Sequence, residues 1–142
     1  MNKSDELYFG AYRCMGVDIT PKDYVADTVG CAEAVNAIYK SIFGKPIGGG
    51  ASTAEMYRAL CKHPDFEQVF CDIPERGWIV ISPTGYGNGN LRGHVGITGK
   101  THIMSNDSNT GKWDAKFTIE TWRNYYTKLG GIPTYFFKPI NS

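Results

Sequence analysis

Cysteine and histidine are the residues of this sequence whose combination could perform nucleophilic chemistry. The chain contains four cysteines and three histidines. Cys31 follows Gly30 at the start of a segment with helical spacing, where exposed backbone N–H groups and the helix dipole favour a thiolate. Cys31 is therefore the candidate nucleophile, although most cysteines act only as small buried hydrophobic residues.

His94 is the candidate base. It stands at the start of a predicted strand, after a glycine-rich loop at 83–90. Val95 and Ile97 alternate as core-facing residues, so we expect the imidazole on the other face, at the mouth of that loop. The other two histidines lie at a helix end and near a turn, where a structural role fits better.

Asn106 is the candidate third member of the site. A three-residue hairpin loop at 99–101 would pair Ile97 with Ile103 and place Asn106 opposite His94. The matching isoleucines favour this register. An amide oxygen there could accept a hydrogen bond from one imidazole nitrogen and fix the tautomer that leaves the other free for the thiol.

Alternatives stay open at this third position. A two-residue loop would oppose His94 and Ser105 instead, and Asp107 is a further substitute. Asn106 would then be a turn residue within the polar run 105–109.

Three aromatic residues are candidates for substrate binding: Tyr24, Trp78 and Tyr86. Trp78 and Tyr86 could line a groove, and Tyr24 could supply a second hydrogen bond to an oxyanion, beside the backbone N–H of Cys31. Aromatic residues in such numbers are more often part of the core, which is the alternative for each of them.

The elements that must position these residues are indicated by periodicity. Apolar residues at three- and four-residue steps predict a helix from Gly30 to Phe43, and Ser52 with Glu55 forms a capping box that begins a second helix at about 53–62. Strand-like patterns and one late helix follow. The predicted strands are 66–70, 78–82, 93–98, 101–105 and 134–137, and the late helix is 118–127. Helices first and sheet second predict an α+β fold around an antiparallel sheet.

Composition excludes several classes of protein. The 142 residues fit a single domain, 1–142. With 15 basic and 14 acidic side chains the net charge is +1, which gives no footprint for nucleic acid. The longest apolar run, 78–81, is too short to cross a bilayer. We expect a monomer that does not bind membranes or nucleic acid.

The cysteine spacings match neither a zinc knuckle nor a CxxC redox pair, so we expect no metal and no cofactor. The first six residues carry two acids and lead into no apolar segment. We therefore expect no signal peptide of the chain's own, and synthesis in the cytoplasm.

The ordered set of motifs resembles a known family. Gly30-Cys31-Ala32 at a helix start, a glycine-rich loop leading into 93–97, and a polar residue on the next strand resemble the papain-like cell-wall hydrolases of the CHAP and NlpC type. The segments 47–54, 81–85 and 103–108 resemble small hydrolases encoded by bacteriophages. The resemblance spans about 27–139, although NlpC-type members usually carry Asp-Cys-Ser-Gly at the nucleophile.

This resemblance implies a papain-like antiparallel sheet packed against an N-terminal catalytic helix, with Cys31, His94 and Asn106 in the triad positions. It implies cleavage of an amide bond in the peptidoglycan stem peptide or its link to sugar. A phage lysis or tail-associated enzyme would act on the wall after release or virion delivery. The alternatives are an interbacterial amidase toxin, a non-catalytic wall-binding module and another cysteine acyltransferase.

Overall fold

The described part of the chain, residues 1–19, 30–87 and 91–140 of a computed structural model, forms an α+β fold. Its helices are α1 (Lys3–Tyr12), α2 (Gly30–Phe43), α3 (Thr53–Cys61) and α4 (Ile119–Trp122), the last continued by a π-helical segment, Arg123–Leu129. Its strands are β1 (Phe66–Val69), β2 (Ile79–Ser82), β3 (His94–Thr98), β4 (His102–Asn106), β5 (Trp113–Thr118) and β6 (Tyr135–Pro139). No helix among these residues is both long and apolar enough to cross a membrane.

The six strands of the described residues make one sheet in the order β1-β6-β2-β3-β4-β5. Every neighbouring pair is antiparallel. The predicted fold class, α+β with an antiparallel sheet, is therefore confirmed. Two elements were not predicted from the sequence, namely α1 and β5.

Both faces of the sheet are covered. Because side chains alternate along a strand, Ile79 and Ile81 point to one face while Val80 points to the other. The first face packs against α1, α2 and α3 and forms the helix-side cluster, which includes Val95 and Ile97. The second face forms the smaller cluster, whose buried members are Trp78, Val80, Ile103, Trp122, Tyr126 and Phe136.

Side-chain hydrogen bonds fix the start of α3 and its connection to α2. Ser52 caps α3 by accepting the Glu55 N–H at 3.1 Å, which is one half of the predicted capping box. The other half is not formed, because the Ser52 N–H donates to the Gly49 carbonyl and the Glu55 carboxylate binds Arg58. Asn36 of α2 donates to the carbonyls of Gly48 and Gly50 at 3.0 and 2.9 Å and accepts the Gly48 N–H at 3.1 Å. The glycine-rich turn is thus held between the two helices.

The β3–β4 hairpin differs from its predicted register. The Gly99 N–H donates to the His102 carbonyl at 2.8 Å, so the loop is two residues long, 100–101. Gly96 therefore pairs with Ser105, whereas the three-residue loop would have paired Gly96 with Met104. The predicted placement of Asn106 opposite His94 is wrong for this reason. The alternative pairing of His94 with Ser105 is also wrong, because it needs a two-residue loop at 99–100 instead of 100–101. When the observed pairing is extended by two residues toward the start of β3, Asp107 lies opposite His94.

Candidate active site

Cys31 is the second residue of α2 and is only 4% exposed. Burial raises the pKa of its thiol to about 11, although the backbone N–H groups of Val95, Ala32 and Cys31 itself hydrogen-bond the sulfur and act in the opposite direction. The N–H groups at the helix start do favour the thiolate, as expected, but loss of hydration outweighs their hydrogen bonds and the net pKa is raised. The thiol is neutral at pH 7.

His94 begins β3 and its side chain lies among aromatic rings. Its centroid is 5.3 Å from that of Trp122, 5.8 Å from that of Tyr126 and 6.2 Å from that of Phe117. The predicted orientation away from the Val95 face is confirmed, since Trp122 and Tyr126 belong to the smaller cluster.

Burial lowers the pKa of His94 to about 4. The Asp107 carboxylate raises this pKa and so opposes the effect of burial, whereas the Lys116 ammonium lowers the pKa further. At neutral pH the imidazole is therefore uncharged, which is the form that can accept a proton.

Cys31 and His94 lie around the same end of β3. The Val95 N–H hydrogen-bonds the Cys31 sulfur, and Val95 directly follows His94 in the chain. Tyr126, which stacks on His94, has its pKa raised by burial and, further, by the charge that a Cys31 thiolate would carry. Val95 on one face of the sheet and Tyr126 on the other are thus neighbours of both candidate catalytic residues.

Asn106 ends β4 and is 1% exposed. Within the described part of the chain, neither its Oδ1 nor its Nδ2 has a hydrogen-bond partner. It pairs with Trp113 of β5, a residue of the helix-side cluster. The structure thus gives Asn106 no hydrogen bond to His94, although both residues line one cavity. The charged groups that act on the imidazole are Asp107 and Lys116.

A hydrogen-bonded strap fixes the backbone immediately before His94. The Thr84 hydroxyl accepts the Gly93 N–H at 2.8 Å, and Thr53 at the start of α3 binds both the hydroxyl and the N–H of Thr84 at 3.0 Å. A Cβ on Gly93 would lie 2.1 Å from the Ser82 carbonyl oxygen. Sequence reasoning missed Thr53 and Thr84, because nothing local distinguishes these threonines from capping and turn residues.

A cavity of about 410 Å³ opens beside His94. Its described lining includes His94, Ser105, Asp107, Lys116, Phe117 and Tyr126, together with Arg92. Among the described residues, no group of three or more histidine, cysteine, aspartate or glutamate side chains is arranged to hold a metal ion.

The candidate substrate-binding residues lie elsewhere. Trp78 is 6% exposed within the smaller cluster, and its burial favours the core role that the sequence left open. Tyr86 is 38% exposed and meets the Tyr57 ring edge-on at 5.1 Å. Neither residue lines the cavity beside His94. Tyr24 lies outside the described residues.

Comparison with known proteins places the fold. The sequence matches no family model and no curated protein. Its structure is similar to a chain in the type VI native effector–immunity complex Tae3–Tai3 from Ralstonia pickettii. The TM-score is 0.62 at 14% identity, over 96% of this chain and 98% of that one. At this identity the likeness is one of fold, and it extends over nearly the whole of both chains.

Proposed function

We propose that this chain is a cysteine hydrolase that cleaves an amide bond in the stem peptide of peptidoglycan or its link to sugar. The observation that carries the proposal is that the start of β3 neighbours both residues, since the Val95 N–H hydrogen-bonds the Cys31 sulfur and His94 directly precedes Val95. The α+β arrangement, in which α2 brings the cysteine against an antiparallel sheet, agrees with the papain-like architecture implied by the sequence resemblance.

The chemistry proposed is acyl transfer in two halves. As the Cys31 sulfur attacks the carbonyl carbon, His94 accepts the thiol proton, and the backbone N–H of Cys31 stabilises the developing oxyanion. His94 then gives the proton to the leaving amine, which departs as the acyl-enzyme forms. In the second half His94 takes a proton from water, hydroxide attacks the thioester, and the proton returns to the sulfur.

We further propose that the enzyme acts between bacteria, as a toxin with a partner immunity protein. The fold shared with a chain of a type VI effector–immunity complex supports this use, whereas no comparison supports a phage lysis or tail-associated role. The expectation of a monomer likewise has no support from the comparison, since the similar chain was solved in a complex. Delivery would then depend on a secretion machine.

Digestion of purified peptidoglycan tests the chemistry. Mass spectrometry of the products should show new amine and carboxylate termini at one kind of bond. Cys31→Ala should abolish them, whereas Cys61→Ala, which removes an exposed thiol, should leave the digestion unchanged. Digestion that persists in Cys31→Ala would contradict the assignment of the nucleophile.

Expression in a Gram-negative host tests the biological use. We expect lysis when the chain is fused to a periplasmic export signal and none when it is expressed without one, because the proposed substrate lies outside the inner membrane. The exported Cys31→Ala variant should be harmless. Equal toxicity from both compartments would refute a cell-wall target.

A further inference from the structure

The cavity beside His94 combines a bulged strand with cationic side chains. In β4 and β5, Ile103 pairs with Phe117 but Ser105 pairs with Asp114, so β5 contains one extra residue between these pairs. The extra residue lies at 115–116. β-bulges redirect side chains and are common beside active sites.

The bulge changes which face each residue of β5 occupies. Trp113 and Phe117 are four residues apart and would share a face in a regular strand. Instead Trp113 packs in the helix-side cluster, whereas Phe117 contacts Trp122 and lies beside His94. Lys116, at the bulge, lines the same cavity as Phe117.

The Lys116 ammonium has hydrogen-bonding capacity left over. Its Nζ is 4.0 Å from Oδ1 of Asp107, which is beyond hydrogen-bond distance, and it lies 5.8 Å from the Phe117 ring centroid. An ammonium group carries three donors. Arg92 lines the same cavity and forms no ion pair within the described part of the chain. Among the described residues of the lining, one carboxylate, Asp107, stands against these two cations, so their summed charge is positive by one.

We propose that this cavity binds a carboxylate of the substrate peptide, held by Lys116 with Arg92 as the second cation. The inference rests on the proposed function and specifies its substrate as an acidic peptide whose carboxylate lies near the scissile amide. An ammonium–carboxylate hydrogen bond is about twice as strong as one between neutral groups. A neutral peptide would leave one of the two positive charges without a counter-charge, because the described lining offers one carboxylate, that of Asp107.

The test compares one muropeptide in two forms, with its carboxylic acids free and with the same acids converted to methyl esters. Binding is measured by calorimetry on the Cys31→Ala variant, so that turnover does not interfere. We expect the free acid to bind at least about tenfold more tightly than the ester. Lys116→Gln in the same background should remove most of that preference while leaving affinity for the ester unchanged.

Lys112→Gln is the matched control, because Lys112 is an exposed lysine just before β5 that does not line the cavity. It should keep the full preference for the acid. Equal affinity of Cys31→Ala for both forms, binding of neither form, or a preference that survives Lys116→Gln would each overturn the inference. Hydrolysis of both forms by the wild-type enzyme without preference would overturn it while leaving the proposed function intact.

Discussion

Burial of His94 makes the stability of this protein depend on pH in a defined window. An unfolded histidine has a pKa of about 6.5, whereas burial lowers the pKa of His94 to about 4 in the folded chain. As pH falls, the unfolded chain binds the proton first. The contribution of the neutral imidazole is therefore fully present above about pH 6.5, declines below it, and is lost by about pH 4.

The size of the effect follows from the two pKa values. Their difference of about 2.5, at 1.36 kcal/mol for each pKa unit, corresponds to about 3 kcal/mol. This is a large share of the roughly 5–15 kcal/mol that stabilises a typical domain. The charged groups acting on the imidazole are Asp107, which raises its pKa, and Lys116, which lowers it.

Urea unfolding between pH 7 and pH 4 measures this contribution, with tryptophan fluorescence as the signal because Trp122 lies 5.3 Å from His94. Relative to wild type, His94→Gln should lose less stability over this range, by about 3 kcal/mol. Carboxylates that titrate in the same window cancel in the comparison. His102→Gln removes an exposed imidazole and should keep the steep wild-type fall, because the buried one remains.

Parallel stability curves for wild type and His94→Gln would refute the reasoning. An NMR titration of the wild-type imidazole protons gives a second measurement that does not depend on how well the variant folds. A His94 midpoint near 6.5 would contradict the burial argument, whereas a midpoint near 4 would support it.

Three further outcomes are expected from the buried thiol and from the hydrogen bonds that join Thr84 to Thr53 and Gly93. Absorbance near 240 nm from the Cys31 thiolate, measured against Cys31→Ala, should develop only toward pH 11, and its presence at pH 7 would contradict the burial of the sulfur. Iodoacetamide should label the exposed Cys61 before Cys31 in the folded protein, and equal rates should appear only in denaturant. Thr84→Val should lower kcat by roughly tenfold with little change in KM, and it should destabilise the fold by about 1–3 kcal/mol, because the Gly93 N–H loses its acceptor. Thr84→Ser, which keeps the hydroxyl, should restore both kcat and stability.

The helices around the nucleophile could be predicted because their signals are local. Apolar spacing gave Gly30–Phe43 with the bounds that the structure has, and the Ser52 cap placed the start of α3. The helix α1 was missed, although it begins with a cap of the same kind, in which Asn2 accepts the Asp5 N–H at 2.8 Å. β5 was hidden because its bulge breaks the alternation on which strand prediction depends.

The candidate site depended on information that is not local. The sequence does not distinguish a two-residue from a three-residue loop between β3 and β4, and one residue of slip moves every side chain of a strand to the other face. That slip took Asn106 away from the position opposite His94. The raised pKa of Cys31 also could not be predicted from the sequence, because it depends on how completely β3 and its neighbours bury the sulfur.

Burial and the proposed carboxylate site together bear on the strength of the base. A neutral Cys31–His94 pair transfers its proton only when the sulfur attacks, and a base with a pKa of about 4 accepts that proton poorly. After burial itself, the neighbouring charge that holds this pKa down is that of Lys116. A substrate carboxylate bound to Lys116 would offset that charge and raise the pKa of His94, although burial, the largest cause, would still lower it. The acidic substrate would thus strengthen the base that acts on it.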